Sequence, residues 1–456
     1  MRAHPDPAAD AAAPAPADAP QHDRLPGRVL LSALALSVAV AVIEHVQRGH
    51  GYWDYSEGVY LFTSRLVLRG HDLYGSVVAA QPPPLFLIGA GLLAIHDSLE
   101  WVRAVIGAVQ VGTALLAAAV VWRVTGIRAA AVVAAPLSLV TPWVLHEHGS
   151  LIPEMIAAPL LLGGVLLARD RRHAHWLGIV VALLATVKVS YALPALALLA
   201  VSADWRRAAR WALAAAVLEI AITLLVFGTA VWRDTVVAQF QSGHVPFHSL
   251  AGVFGQIAWH LSGLVVAALL AWLYRQRARD QRTLHIAGIA AFATLITLVS
   301  VWKLGTSLNS VVPAEVTLVP LAVSGIALAI AAQRRWAAAI GAAGCAFALV
   351  QALSLIAHPL IEGARPLHPF LRPGSGHSYG ITMSPTEVDR AVAAARRCPP
   401  GVPYAGTPFI AFLAGRRMPG DQADQYLINL APTLKAARSA IAAEPARCPA
   451  QPPATH

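Results

Sequence analysis

The chain has 456 residues, 57% of them hydrophobic and 13% charged, and 34 basic against 24 acidic side chains give it a net charge of +10. A soluble domain carries about 25% charged residues, so a mean hydropathy of +0.59 leaves too little polar surface to cover a core of this size, and lipid must solvate most of it. A soluble enzyme, a nucleic-acid binder and a disulfide-rich secreted module are excluded as readings of the whole chain.

Residues 1–27, rich in Ala, Pro and Asp, predict a disordered cytoplasmic tail. The apolar run that follows is longer than a signal-peptide core and no clear cleavage site ends it. Residues 28–357 read as an all-α polytopic membrane domain. Its spans fall at roughly 29–47, 101–121, 129–145, 151–168, 177–201, 211–231, 256–274, 284–302, 311–332 and 336–357, runs long enough to cross about 30 Å of hydrocarbon. Trp101, Trp122, Trp143, Trp176, Trp211, Trp232, Trp272, Trp302 and Trp336 mark their borders, as an interfacial aromatic belt does. Residues 83–95 are apolar over too short a run to cross, which leaves 48–100 as one large outer loop with juxtamembrane helices. Residues 358–456 predict a small extracytoplasmic domain with a Pro/Gly-rich entry.

The basic residues set the orientation. Sixteen arginines (24, 28, 123, 128, 169, 171, 172, 206, 207, 210, 275, 277, 279, 282, 334 and 335) fall in loops of one side, against Arg48, Arg65, Arg69, Arg103, Arg233 and Lys303 on the other. The positive-inside rule then puts the N-terminus in the cytoplasm. The stretch 177–201 has arginine clusters at both ends and holds Lys188, Ser190, Tyr191 and Pro194 near its middle. Proline removes a backbone donor and favours a break, so the stretch predicts two short helices in a hairpin, turning near Lys188 on the outer side. About eleven crossings result, with the C-terminus outside. No internal repeat is visible.

The first outer loop carries Asp54 and Glu57, a probe for acid–base or metal chemistry that competes with a plain solvated face. An amphipathic helix to Leu68 is expected there, followed by Gly70, Tyr74 and the run Pro82, Pro83, Pro84. The strings EGVYLFTSRLVLRGHDLY (57–74) and QPPPLF (81–86) resemble the first outer loop of GT-C superfamily glycosyltransferases, which include protein O-mannosyltransferases and lipid A aminoarabinose transferases. Arg103, Lys188 within LLATVKVSYALP (183–194), KLGTSLN (303–309) and FLAGRRMPGDQADQY (412–426) are similar to an actinobacterial-type branch. The likeness runs over most of residues 28–430. The family's acidic pair is often adjacent, whereas here Ser56 precedes Glu57 and the second acid is Asp54.

The resemblance implies transfer of a sugar, with inversion, from a polyprenyl-phosphate donor to a hydroxyl of a glycan, lipid or protein at the outer face of a bacterial plasma membrane. Asp54 or Glu57 is then the base, and the phosphate that leaves needs fixed positive charge. Arg65, Arg103, Lys188 and Lys303 are the candidate cations. Each has a competing structural role: snorkelling for Arg65, interfacial anchoring for Arg103, a rim charge for Lys303. Lys188 is the most telling, because a charge inside an apolar run is expensive. Tyr74, His146, His148, Glu154 and Asn309 are candidate substrate contacts. The His-x-His pattern makes weak metal evidence, and a divalent cation (Mg or Mn) is a possible cofactor. The high Ala, Arg and Pro content suggests a GC-rich bacterium and so a decaprenyl-phosphate mannose or arabinose donor. A transporter or lipid-linked-sugar flippase, or a non-catalytic binder of the same fold, is the alternative. Glu219, mid-span, should face the bundle interior, and His244 and His248 lie in an outer loop. The cysteines have no zinc-site spacing; Cys345 sits in an apolar run, while Cys398 and Cys448 lie outside, where an oxidising setting favours a disulfide between them.

Overall fold

A computed structural model describes residues 25–52, 54–303, 308–360, 383–444 and 448–449. Nearly all of the expected N-terminal tail, part of the 303–309 motif, the Pro/Gly-rich entry to the tail domain and the side chain of His248 lie outside the described residues. Helix α1 spans Gly27–Arg48, α2 Tyr55–Leu68, α3 Pro83–Ile95, α4 Leu99–Thr125, α5 Arg128–Leu137, α6 Pro142–His146, α7 Pro153–Ala168, α8 Ala174–Val187, α9 Ala192–Ala200 and α10 Trp205–Phe227. They are followed by α11 Phe247–Leu273, α12 Gln281–Thr297, α13 Val312–Ala331 and α14 Arg335–Leu360. The tail holds α15 Pro385–Arg396, α16 Pro408–Ala414, α17 Gln425–Leu430 and α18 Lys435–Ala443, with one two-residue parallel strand pair, Tyr404–Ala405 against Cys448–Pro449.

The chain is an all-α polytopic membrane protein. Among the described residues, seven helices are long and apolar enough to cross a membrane. The other four expected crossings fall on α5, α7, α8 and α9, of 10, 16, 14 and 9 residues. At 1.5 Å per residue these cover only part of the hydrocarbon thickness. The break in 177–201 is where the lysine is: Lys188 is extended (φ −158°, ψ 128°) between α8 and α9. The Ala203 N–H donates to the Ala168 carbonyl at 2.8 Å, which brings the end of α9 back beside the end of α7. The pair is therefore a hairpin, and its turn lies at the opposite end of α7.

Small residues let the helices approach. A Cβ on Gly263 of α11 would lie 2.1 Å from the Gly344 carbonyl oxygen of α14, and one on Gly325 of α13 would lie 2.4 Å from the Ala267 carbonyl oxygen of α11. Such close backbone packing is what holds helices together where lipid is as apolar as leucine. Helix α10 is the most exposed of them: its buried residues are Ala208 and Ala212, which dock on Gly178 of α8.

The arginine loops gather at one end of the bundle. Arg279 N–H donates to the Val124 carbonyl at 2.8 Å, and Arg169 pairs with Asp280 at 2.8 Å. The first loop, Lys188, Lys303 and the tail lie at the other end. There α2 departs from expectation. It is not amphipathic but buried over nine residues from Glu57 to Leu66, because the tail covers the face that the sequence alone leaves to solvent. Phe409 of α16 stacks on Tyr52 at 4.6 Å, Gly58 admits the Phe409 backbone with no room for a Cβ, and Tyr52 bridges Met383. The tail and the first loop share one hydrophobic core. Ser384 and Glu387 form a reciprocal capping box that starts α15, and Cys398 is disulfide-bonded to Cys448 with a Cα separation of 5.8 Å. Cys345 is a buried free thiol.

Candidate active site

Between the first loop, the α8–α9 turn and the segment before α13 lies a cavity of about 300 Å³, with Lys188, Lys303, Asn309, Gln81, Ser56 and Tyr60 in its wall. A smaller chamber of about 90 Å³ adjoins it, sharing Ser56, Tyr60, Gln81 and Lys303 and adding Asp424 and Ser242. The extended break after Val187 is what lets Lys188 reach this space: a continuous helix would keep its backbone hydrogen-bonded and its side chain on a helix face. Its Nζ donates to Glu154 Oε1 at 2.5 Å and to Ser310 Oγ at 3.2 Å, so α7, the hairpin turn and the segment before α13 meet at one ammonium. Glu154 is fully buried. The Glu154 carboxylate is thus the fixed counter-charge of the Lys188 ammonium. Burial pushes Lys303 down to about 8, with Asp424 opposing the fall and Lys188 adding to it. Val189 and Phe240 stand in the wall and are exposed on the outside of the bundle. The cavity thus has a cationic interior and an apolar rim.

Other charges of the first loop are consumed elsewhere. Arg103 Nε and Nη2 grip Glu57 at 2.9 and 2.6 Å, and the same guanidinium donates to the carbonyls of Gly49 and Gly51 at 2.7 and 2.9 Å. Arg103 is 1% exposed and Glu57 0%. Arg48 stands 3.8 Å from Glu57 and donates to the His146 carbonyl at 2.8 Å and to Ser150 Oγ at 2.7 Å. Gly149 at φ +72° lies against the Arg103 backbone, a conformation costly for any residue with a Cβ. Glu57, expected as a base, and Arg103, expected as a phosphate ligand, are thus paired with each other, and neither lines the cavity.

No family model and no curated protein sequence matches the chain. Among solved structures, it is similar to ArnT from Cupriavidus metallidurans in the apo state, with a TM-score of 0.56, and to the same protein bound to undecaprenyl phosphate, with a TM-score of 0.50. Each match has 17% sequence identity and covers 88% of this chain and 88% of that one. The chain has the GT-C fold. At this identity the fold is what the two share.

Within the GT-C fold the remaining predicted residues divide. Asp54 caps α2, its carboxylate accepting the Ser56 N–H, and burial with Glu147 nearby holds its pKa well above the usual range. It is two residues from the cavity-lining Ser56 but is not itself in the wall. Glu147, pushed up to about 7 by burial, is 3.0 Å from His146 Nδ1. His146 and His148, expected as substrate contacts, are buried beside this network and line neither chamber. Arg65 pairs with Asp97 at 2.6 Å and donates to the Phe412 carbonyl at 2.5 Å while lying over the Phe412 ring. It fastens the tail to α2 and lines neither chamber. Tyr74 is also out of the wall, yet its Oη donates to the Gln81 carbonyl at 2.6 Å and so positions a residue that lines both. Glu219 faces Thr186 of α8. For a divalent cation, the described residues bring no group of three His, Cys, Asp or Glu side chains together.

Gln81, Gln239 and Asp424 are polar wall residues that the sequence reading did not single out. Gln81 opens the proline run and Gln239 sits in the short helical segment Ala238–Gln241. Asp424 lies inside the tail string already noted for its resemblance, but one carboxylate among several polar residues gave no sign that it would reach the membrane end.

Proposed function

We propose that this chain is a glycosyltransferase that takes a sugar from a polyprenyl-phosphate donor and passes it, with inversion, to an acceptor hydroxyl. The observation that carries the reading is the cavity holding Lys188 and Lys303 inside an apolar rim of Val189 and Phe240. A lipid donor has those two halves. Its phosphate seats between fixed cations, and its prenyl chain leaves through the side of the bundle into lipid. The undecaprenyl phosphate bound to ArnT supports the choice of donor. When the bond from the anomeric carbon to the phosphate oxygen breaks, the phosphate departs as an anion. The two lysines stabilise that charge without needing to give up a proton. The anomeric centre gains oxocarbenium character as the acceptor approaches from the opposite face. Asn309 and Gln81 are placed to hydrogen-bond sugar hydroxyls.

By the positive-inside rule the arginine end faces the cytoplasm and the cavity the outer side of a bacterial plasma membrane. Mannosyl and arabinosyl decaprenyl phosphates are the first donors to try, and a glycan, a lipid or a protein can present the hydroxyl. No step of this reading uses a divalent cation. The test is to incubate membranes containing the protein with a panel of polyprenyl-phosphate sugars. Release of polyprenyl phosphate with appearance of a glycosylated product is the expected result. Movement of intact donor across the membrane without cleavage would replace the reading with a flippase.

A further inference from the structure

The expected base is a first-loop acid, but neither one faces the reacting space. Glu57 is closed under Arg103, and Asp54 is turned to the backbone of its own helix. Of the described residues lining the two chambers, Asp424 alone carries a carboxylate. It comes from the tail, and its place is fixed from two directions. One oxygen accepts the Leu427 N–H at 3.0 Å, capping α17. Two residues upstream, the Gln422 side chain accepts from Val78 N–H at 2.9 Å and donates to the Ser76 carbonyl at 2.7 Å, which pins this stretch of the tail onto the first loop. The smaller chamber it enters presents Ser56, Gln81, Gln239 and Ser242 between apolar Val59, Ala80, Leu427 and Leu430, and it shares Lys303 with the larger cavity.

Resting on the glycosyltransferase reading above, we propose that Asp424 is the general base, and that the smaller chamber receives the acceptor as a hydroxyl-rich, carbohydrate-like group. The acceptor O–H gives its proton to the Asp424 carboxylate as the oxygen bonds to the anomeric carbon. The bond from that carbon to the phosphate oxygen breaks, and its electron pair leaves on the phosphate, held by Lys188 and Lys303. Asp424 then returns the proton to solvent. Lys303, common to both chambers, couples the base to the leaving group: its charge sits between the two anionic sites. Burial pushes the Asp424 carboxyl above its ordinary value, with Asp234 adding to the rise and Lys303 opposing it. The phenols of Tyr55, Tyr60 and Tyr426 also face it. A more basic carboxylate is a better proton acceptor near neutral pH.

The experiment uses the full-length protein in membranes, with labelled polyprenyl-phosphate sugar for which the wild type is active and undecaprenyl phosphate as the binding probe. Asn caps a helix as well as Asp does, so Asp424→Asn keeps the fold, and its Tm verifies this. The expected result is a loss of transfer by about 10²–10⁴-fold, undecaprenyl phosphate affinity within about twofold of wild type, and loss of the acid limb of the pH–rate profile. Asp54→Asn should retain that limb. An Asp424→Asn variant with near wild-type transfer overturns the proposal, as does one that is slow but keeps the limb, or one that loses both undecaprenyl phosphate binding and Tm. A wild type that neither transfers sugar nor binds undecaprenyl phosphate overturns the glycosyltransferase reading itself, and this inference with it.

Discussion

Two ionic assemblies sit at the same end of the molecule and behave differently. In the first, Arg48, Glu57 and Arg103 are sealed from solvent, and every strong donor of Arg103 has a protein acceptor. In the second, Lys188 and Lys303 stand in the wall of a cavity, tied to the protein yet open to a ligand. Residue type does not separate them; what separates them is whether the charge is spent inside the fold or faces a space that something else can enter. The sealed assembly is the strut that holds the first loop against α4, and the open one is where an anionic ligand finds its counter-charge.

The largest effect should come from breaking the strut. Arg103→Ala strips Glu57 of its two-bond partner in a dry site and leaves only Arg48, 3.8 Å away, a change that costs about 3–5 kcal/mol. Thermal unfolding of the detergent-solubilised protein should show a large fall in Tm or no folded protein. A near wild-type Tm would mean the two assemblies are not different in kind. Next is the tail that roofs the open assembly. The Cys398–Cys448 bond closes a separation of 50 residues, and Cys398→Ser should cost about 2–4 kcal/mol, read as a lower Tm equal to that of the reduced wild type.

Lys188→Met and Lys303→Met should do the reverse of Arg103→Ala. Each removes a charged hydrogen-bonding partner of the phosphate, worth about 1.5–3 kcal/mol, so undecaprenyl phosphate affinity should drop by roughly 10–100-fold while Tm falls less than in Arg103→Ala. Lys188→Met also leaves Glu154 buried without its cation, so Lys303→Met is the cleaner of the two. A binding curve unchanged in both variants would remove the phosphate site.

The smallest effect is a pH dependence within the sealed region. Glu147 is raised from 4.5 to about 7, with burial the leading cause. A carboxyl raised in the folded state contributes stability that is full below its unfolded value and lost as pH rises through its folded value. His146 next to it is pushed down to about 4 by burial and works in the opposite sense, so the wild-type curve alone mixes the two. The comparison that isolates Glu147 is the Tm of Glu147→Gln minus that of the wild type. This difference should move in the variant's favour as pH rises from about 4.5 to about 7. A difference flat across that window would mean that the carboxyl titrates normally.

Local properties of the chain determined much of this molecule. Apolar run length gave the long spans and the short α3, because crossing lipid is a matter of counting residues. Arginine placement gave two unlike ends, because charge is costly in hydrocarbon wherever it sits. A lysine beside Ser190, Tyr191 and Pro194 gave the hairpin turn, because a helix break needs only its own residues. The tertiary structure alone decided which charges remain open. Glu57 and Arg103 are 46 positions apart, and nothing in either neighbourhood says that they will cancel. The burial of α2 depended on a tail that returns from the far end of the chain, so its helix could not be read as buried from its own pattern. Asp424 reaches the cavity by the same return. Neutralisation and access are set by which distant segments pack together, and packing partners are not written in the spacing of either segment.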